Sequence, residues 1–131
     1  MTEGCVLEQD TLSTADESVA PDAAPIIKLV NSILGLALQK KASDIHIEPQ
    51  EAKLRIRFRL DGMLVPQFDV PIGMASAIAA RLKIMSNLNI AERRVPQDGR
   101  FRLNFAGGRR IEARVSSLPN KYGEKLVLRL M

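Results

Sequence analysis

From Lys53 to Leu60 apolar and basic residues alternate without a break: Leu54, Ile56, Phe58 and Leu60 against Lys53, Arg55, Arg57 and Arg59. This period of two predicts a strand with one buried face and one exposed row of four cations. Asp61-Gly62 follows at once and predicts a tight type I′ reversal, because both residues tolerate positive φ. The chain should return through Met63, Leu64 and Val65, with Pro66 marking the end of a weak or edge strand.

Other stretches carry a helical period. Ile26, Ile27, Val30, Ile33, Leu34, Ala37 and Leu38 make a stripe at three- and four-residue spacing, with Asp22 as N-cap, Pro25 in the first turn and Lys40-Lys41 at the end. Asp69 and Pro71 announce a second helix with Ala75, Ile78, Ala79, Leu82 and Met85 inward and Arg81 and Lys83 pointing elsewhere, ending near Ser86 to Leu88. Ile45 and Ile47, alternating with Asp44, His46 and Glu48, form a short strand stopped by Pro49. Residues 91–100 read as a charged loop, Phe101, Leu103 and Phe105 as a strand, Gly107-Gly108 as a turn, and Arg109 to Val115 as its partner. Residues 116–123 are turn-like, and Leu126 to Met131 is a last, largely apolar strand. The order helix-βββ-helix-βββ, with hairpins favouring antiparallel pairing, predicts an α+β fold of sheet packed against helices. The two halves suggest a duplicated architecture, without a residue-level repeat.

Composition sharpens this picture in one respect. Before Lys28 the chain has six acids and no Lys or Arg, whereas from Pro25 onward 19 bases face nine acids, a net charge of +10. Residues 1–24 therefore read as a flexible acidic leader and residues 25–131 as one basic domain, suited to phosphate groups, nucleic acid, acidic lipid or an acidic protein surface. No stretch is apolar for the roughly 20 residues of a membrane span and no secretory signal opens the chain, so a cytosolic setting is expected.

Candidate chemistry is sparse. Cys5 is the single cysteine and His46 the single histidine, so neither a disulfide framework nor a metal site is expected, and His46 reads as a hydrogen-bonded structural residue. There is no phosphate-cradling glycine loop and no nucleophile, histidine and acid set in recognisable context, so no catalytic residue is assigned. On the basic strand, pairing with acids such as Asp44 and Glu48 is favoured for Lys53 and Arg55. For Arg57 and Arg59, beside the turn, pairing and ligand contact stand level, since the guanidinium fork matches phosphate oxygens. Arg93-Arg94 with Gln97 to Arg100 reads as a solvated connection ahead of a phosphate-reading loop. Nucleic-acid binding ranks second as a function: Tyr122 is the one tyrosine, and Phe58 and Phe101 fall on core faces, leaving little for a stacking platform.

Four segments together carry a resemblance. They are Ala42-Ser43-Asp44-Ile45-His46-Ile47-Glu48-Pro49; Arg57-Phe58-Arg59-Leu60-Asp61-Gly62; Arg81 to Met85 continuing to Ile90-Ala91-Glu92-Arg93-Arg94-Val95-Pro96-Gln97-Asp98-Gly99-Arg100; and Arg114-Val115-Ser116-Ser117-Leu118-Pro119 with Gly123 to Leu130. In this order the chain, from about Pro25 to Met131, resembles the N-terminal PAS-like domain of the type II secretion and type IV pilus assembly ATPases. The resemblance implies a hexameric parent using ATP and Mg, whose RecA-like motor domain carries the phosphate loop and continues beyond Met131. This domain would swing against the motor domain of its own or a neighbouring subunit and hold no cofactor itself. It implies Arg57 and Arg114, then Arg59, as arginines reaching nucleotide, and Arg81, Arg93, Arg94 and Arg100 as interface candidates. Some relatives carry a further basic residue after the proline that opens the second helix, where Pro71-Ile72-Gly73-Met74 offers none. The resemblance also implies a location at the cytoplasmic face of the inner membrane, against the cytoplasmic parts of a secretion or pilus platform. The folded part leaves no room upstream for the additional N-terminal domain of longer relatives. A basic nucleic-acid-binding or protein-interaction module is the alternative.

Overall fold

The computed structural model describes residues 20–131, so most of the expected leader lies outside the described residues. Helix α1 (Ala24–Gln39) leads into β1 (Asp44–Pro49), β2 (Lys53–Leu60) and β3 (Met63–Pro71). A single 3₁₀ turn (Ile72–Met74) precedes α2 (Ala75–Met85), followed by β4 (Gln97–Asn104), a short turn at Ala106–Gly108, β5 (Arg110–Asn120) and β6 (Gly123–Leu130). The six strands form one open antiparallel sheet in the order β3-β2-β1-β6-β5-β4, so the first strand of one half pairs with the last of the other. This is the expected α+β architecture.

The core follows the alternation read from the sequence. Leu54, Ile56 and Phe58 of β2, Ile45 and Ile47 of β1, and Leu126 and Leu128 of β6 join Ile26, Val30, Ile33, Leu34, Ile78 and Leu82 of the helices in one buried cluster. The sheet thus has a helix-covered inner face and an outer face carrying the intervening polar residues. Asp61 and Gly62 take φ of 52° and 83°, the two positive values that the expected hairpin turn requires.

Both helices end in the same way. Ala42 N–H donates to the Ala37 carbonyl and Lys41 N–H to that of Leu38; at α2, Leu88 N–H donates to Lys83 and Asn87 N–H to Ile84. These are Schellman closures, with Lys41 (φ 60°) and Asn87 (φ 59°) in the left-handed position. Helix α1 therefore stops at Gln39, short of the expected Lys41. Its N-cap is Ala23 with no side-chain cap bond, in place of Asp22, while Pro25 does occupy the first turn. Where α2 ends, the sheet comes close: a Cβ on Gly99 would lie 2.7 Å from the Ser86 carbonyl oxygen, so glycine is required there.

Three strands run longer than their sequence patterns suggest. β3 continues past Pro66 to Pro71, because Pro66 lies at a bulge on an edge strand, where its missing N–H costs no ladder bond. Asp69 is consequently a strand residue, not a helix start. β5 extends to Asn120 and pairs with β6 up to Gly123, so the turn is only Lys121-Tyr122. β4 begins at Gln97, within the stretch read as loop. The two sheet edges differ: β3 carries Pro66, Pro71 and the bulge, whereas β4 is regular throughout and carries Arg100 and Arg102.

Candidate phosphate-contacting face

The register lays the outer face out in rows. One row crosses five strands as Arg59, Asp44, Arg129, Arg114 and Arg100, each the direct pairing partner of the next. The next row is Arg57, His46, Val127, Ser116 and Asp98. Side chains directly opposite on antiparallel strands have Cβ atoms about 4.5–5.5 Å apart, and like charges so placed repel.

The two sides of this face are charged differently. On β2 every cation meets an acid: Lys53 and Arg55 lie 3.4 and 3.9 Å from Asp69 of β3, Arg57 is 2.8 Å from Glu48, and Arg59 is 4.0 Å from Asp44. The pairing expected for Lys53 and Arg55 does occur, but with Asp69, while Asp44 and Glu48 serve Arg59 and Arg57. Arg59 also donates to the Gly62 carbonyl at 3.0 Å, tying it to the hairpin turn. On the other side, Arg129, Arg114 and Arg100 stand exposed and adjacent with no ion pair among the described residues. Asp44 borders this trio through its pairing with Arg129 but leans on Arg59. Arg102 is occupied by Glu112 at 3.0 Å. Three neighbouring arginines without an ion pair among the described residues offer donors of the kind an oxyanion accepts.

Arg57, Arg59, Arg114 and Arg100 thus share one face. Arg81, Arg93 and Arg94 belong to α2 and the loop after it: Arg81 is half-buried, Arg93 donates to Ser76 Oγ at 3.2 Å, and Arg94 lies 3.5 Å from Glu92. The Arg94 backbone N–H, bonded to the Glu92 carboxylate at 2.8 Å, holds that carboxyl below its usual range. Among the described residues no group of three or more His, Cys, Asp or Glu is placed to hold a metal ion.

Sequence reasoning missed two residues. Arg129 escaped notice because its strand reads as apolar; the signal was its alternation with Leu128 and Leu130, which sends it to the outer face. Lys83 was read as pointing away from the core and is instead 1% exposed, paired with Glu124 at 2.5 Å and donating to the Glu92 carbonyl at 2.7 Å. Its spacing of four from Ala79, a buried stripe residue, was the available clue.

His46 sits beside Arg57 in the second row, its Nδ1 buried without a partner. Desolvation first, then Lys125 and Arg57, lower its pKa below the ordinary 6.5. The unfolded chain therefore binds this proton more readily than the folded one, so the stability it contributes is complete above pH 6.5 and declines as pH falls from there through the folded value. His46→Gln should flatten the dependence of Tm on pH just below 6.5; an unchanged slope in that variant would assign it to other groups.

The chain is an antiparallel α+β domain with an arginine-rich outer face. Residues 19–131 match the family model described as Type II/IV secretion system protein, and the chain belongs to that family. It is 46% identical over 126 residues to the Type IV pilus assembly ATPase PilB of Myxococcus xanthus, which covers 96% of this chain and 22% of that protein. It is 54% identical over 112 residues to the Type II secretion system protein E of Pectobacterium carotovorum, covering 86% of this chain and 22% of the relative. The chain thus spans about a quarter or less of these relatives' length. In fold it is similar to part of the Legionella pneumophila ATPase DotB, with a TM-score of 0.61 at 16% identity over 86% of this chain and 30% of that one. No helix among the described residues is long and apolar enough to cross a membrane.

Proposed function

We propose that this domain is the non-hydrolysing, nucleotide-contacting and regulatory unit of a secretion or pilus motor ATPase. The observation that carries the reading is the row of unpaired arginines Arg129, Arg114 and Arg100 in direct register. Their mutual repulsion is relieved when a polyphosphate held by an adjacent motor domain sits against them. A γ-phosphate would supply charge that a diphosphate lacks at that end, so the face would close on ATP and release after hydrolysis. Arg57 and Arg59 contribute on the same face but must first leave Glu48 and Asp44, which makes them the weaker contacts. ATP and Mg belong, on this reading, to the parent's motor domain. On the same reading the parent would work as a hexamer at the cytoplasmic face of the inner membrane, docked to a membrane platform, an extension that the family membership supports.

The test uses the Myxococcus xanthus PilB chain with this domain in place of the segment it matches. Arg114→Ala and Arg129→Ala should each lower ATP turnover at least about tenfold, the scale on which arginines act at a transferring phosphoryl group. Arg57→Ala should cost less. Full turnover in both the Arg114 and Arg129 variants would remove the role. The same row also suits nucleic-acid phosphates, yet these two outer-face rows contain no Phe, Tyr or Trp on which a base could stack, and their one imidazole, His46, is partly buried.

A further inference from the structure

Away from the arginine row, α2 and the β5–β6 hairpin enclose a cleft of about 370 Å³. Ile72, Ala75 and Ala79 give it an apolar wall, and the small side chains at Ala75 and Ala79 leave room between helix and hairpin. Its polar lining consists mainly of donors. Arg93, which lines the cleft, spends one N–H on Ser76 Oγ at 3.2 Å and makes no ion pair among the described residues. Tyr122 stands 43% exposed at the rim, with Lys121 Nζ 5.5 Å from its ring centre, adding a second positive charge at the mouth. The Asn120 side chain accepts from the Tyr122 backbone N–H through Oδ1, and its amide nitrogen carries two further donors. The one acid in the lining, Glu124, is neutralised by the buried ammonium of Lys83. The cleft is therefore positive at its mouth, rich in donors and apolar along one side.

We propose that this cleft docks a protein segment in which an acidic side chain is followed by aliphatic ones. The carboxylate would take the open fork of Arg93 with help from Ser76 and Tyr122, and the aliphatic side chain would lie on Ile72, Ala75 and Ala79. The chemistry fits one carboxylate and one or two apolar groups, a volume at the lower end of ordinary ligand sites. The site is separate from the phosphate-contacting face, so either assignment can fail alone.

The experiment is a titration of the isotope-labelled full chain with acetyl-Glu-Leu-Leu amide and with its Gln counterpart, followed by amide NMR shifts. Saturable changes are expected at Ser76, Ala79 and residues 120–124, with the Gln peptide at least about tenfold weaker, as loss of a charge-assisted contact requires. Arg93→Gln should weaken the Glu peptide to the level of the Gln peptide, and Ser76→Leu, at an exposed helix position, should block both by filling the cleft. Arg110→Gln, on the outer face, should change nothing. Equal binding of the two peptides, full binding by either cleft variant, or shifts confined to the outer face would overturn the proposal. Glutarate binding as tightly as the peptide would overturn the protein-segment assignment and leave a small-carboxylate site.

Discussion

Replacing Lys83 by methionine should cost about 3–5 kcal/mol of unfolding free energy, the loss typical when one partner of a buried ion pair is removed. Lys83 and Glu124 are 1% and 8% exposed in their side chains, so the abandoned carboxylate could not recover its hydration without opening the structure. The loss also removes one of the two donors to the Glu92 carbonyl, Lys83 at 2.7 Å, and leaves Gln97 Nε2 at 3.2 Å to hold the loop that presents Arg93 and Arg94. For a domain of this size a decrease of that magnitude lowers Tm by roughly 4 °C or more for each kcal/mol. Thermal unfolding of the single variant and of Lys83→Met combined with Glu124→Leu distinguishes the causes. Because paired burial is close to break-even against apolar packing, the double variant should regain most of the loss. A single variant within 1 °C of the parent would show that the pair contributes nothing.

Phe58→Ala should be comparably damaging, at about 3–5 kcal/mol, because Phe58 is fully buried in the middle of β2 and its removal leaves a cavity that fixed neighbours cannot fill. The expected structural consequence reaches the outer face, since Phe58 anchors the strand segment from which Arg57 and Arg59 project on the opposite side. Met63, at the hairpin beyond, is 70% exposed, and Met63→Ala should stay within about 0.5 kcal/mol. Denaturant titration of both variants checks the contrast, and similar midpoints for the two would contradict the assignment of Phe58 to the core.

The alternation in β2 was enough to place that core correctly, because a period of two commits every second side chain to one face. What the sequence could not supply was the partner of each strand. Asp69 was legible as a helix signal until β3 was known to run through it, and only the register shows that it neutralises Lys53 and Arg55. Arg129 illustrates the same limit for the candidate site: it lies 15 residues from Arg114 in the chain and becomes its neighbour only through β5–β6 pairing. Residues 116–123 looked like a loop because Ser, Pro, Asn and Gly have low strand propensity, yet pairing with β6 overrode it up to Asn120. Lys83 was misplaced for a different reason, since a helical stripe is normally apolar and a buried ammonium is tolerated only where an acid from another element meets it.

The unequal edges of the sheet have a consequence for the protein as a colloid. β3 is blocked against strand addition by proline rings, a covalent obstacle indifferent to the medium, whereas β4 repels a second β4 chiefly through Arg100, since Arg102 is paired with Glu112. The range of that repulsion contracts from about 10 Å at 0.1 M salt to about 3 Å at 1 M. Self-association in concentrated salt would therefore begin along β4, and the proline-bearing edge would remain the terminus of any such assembly.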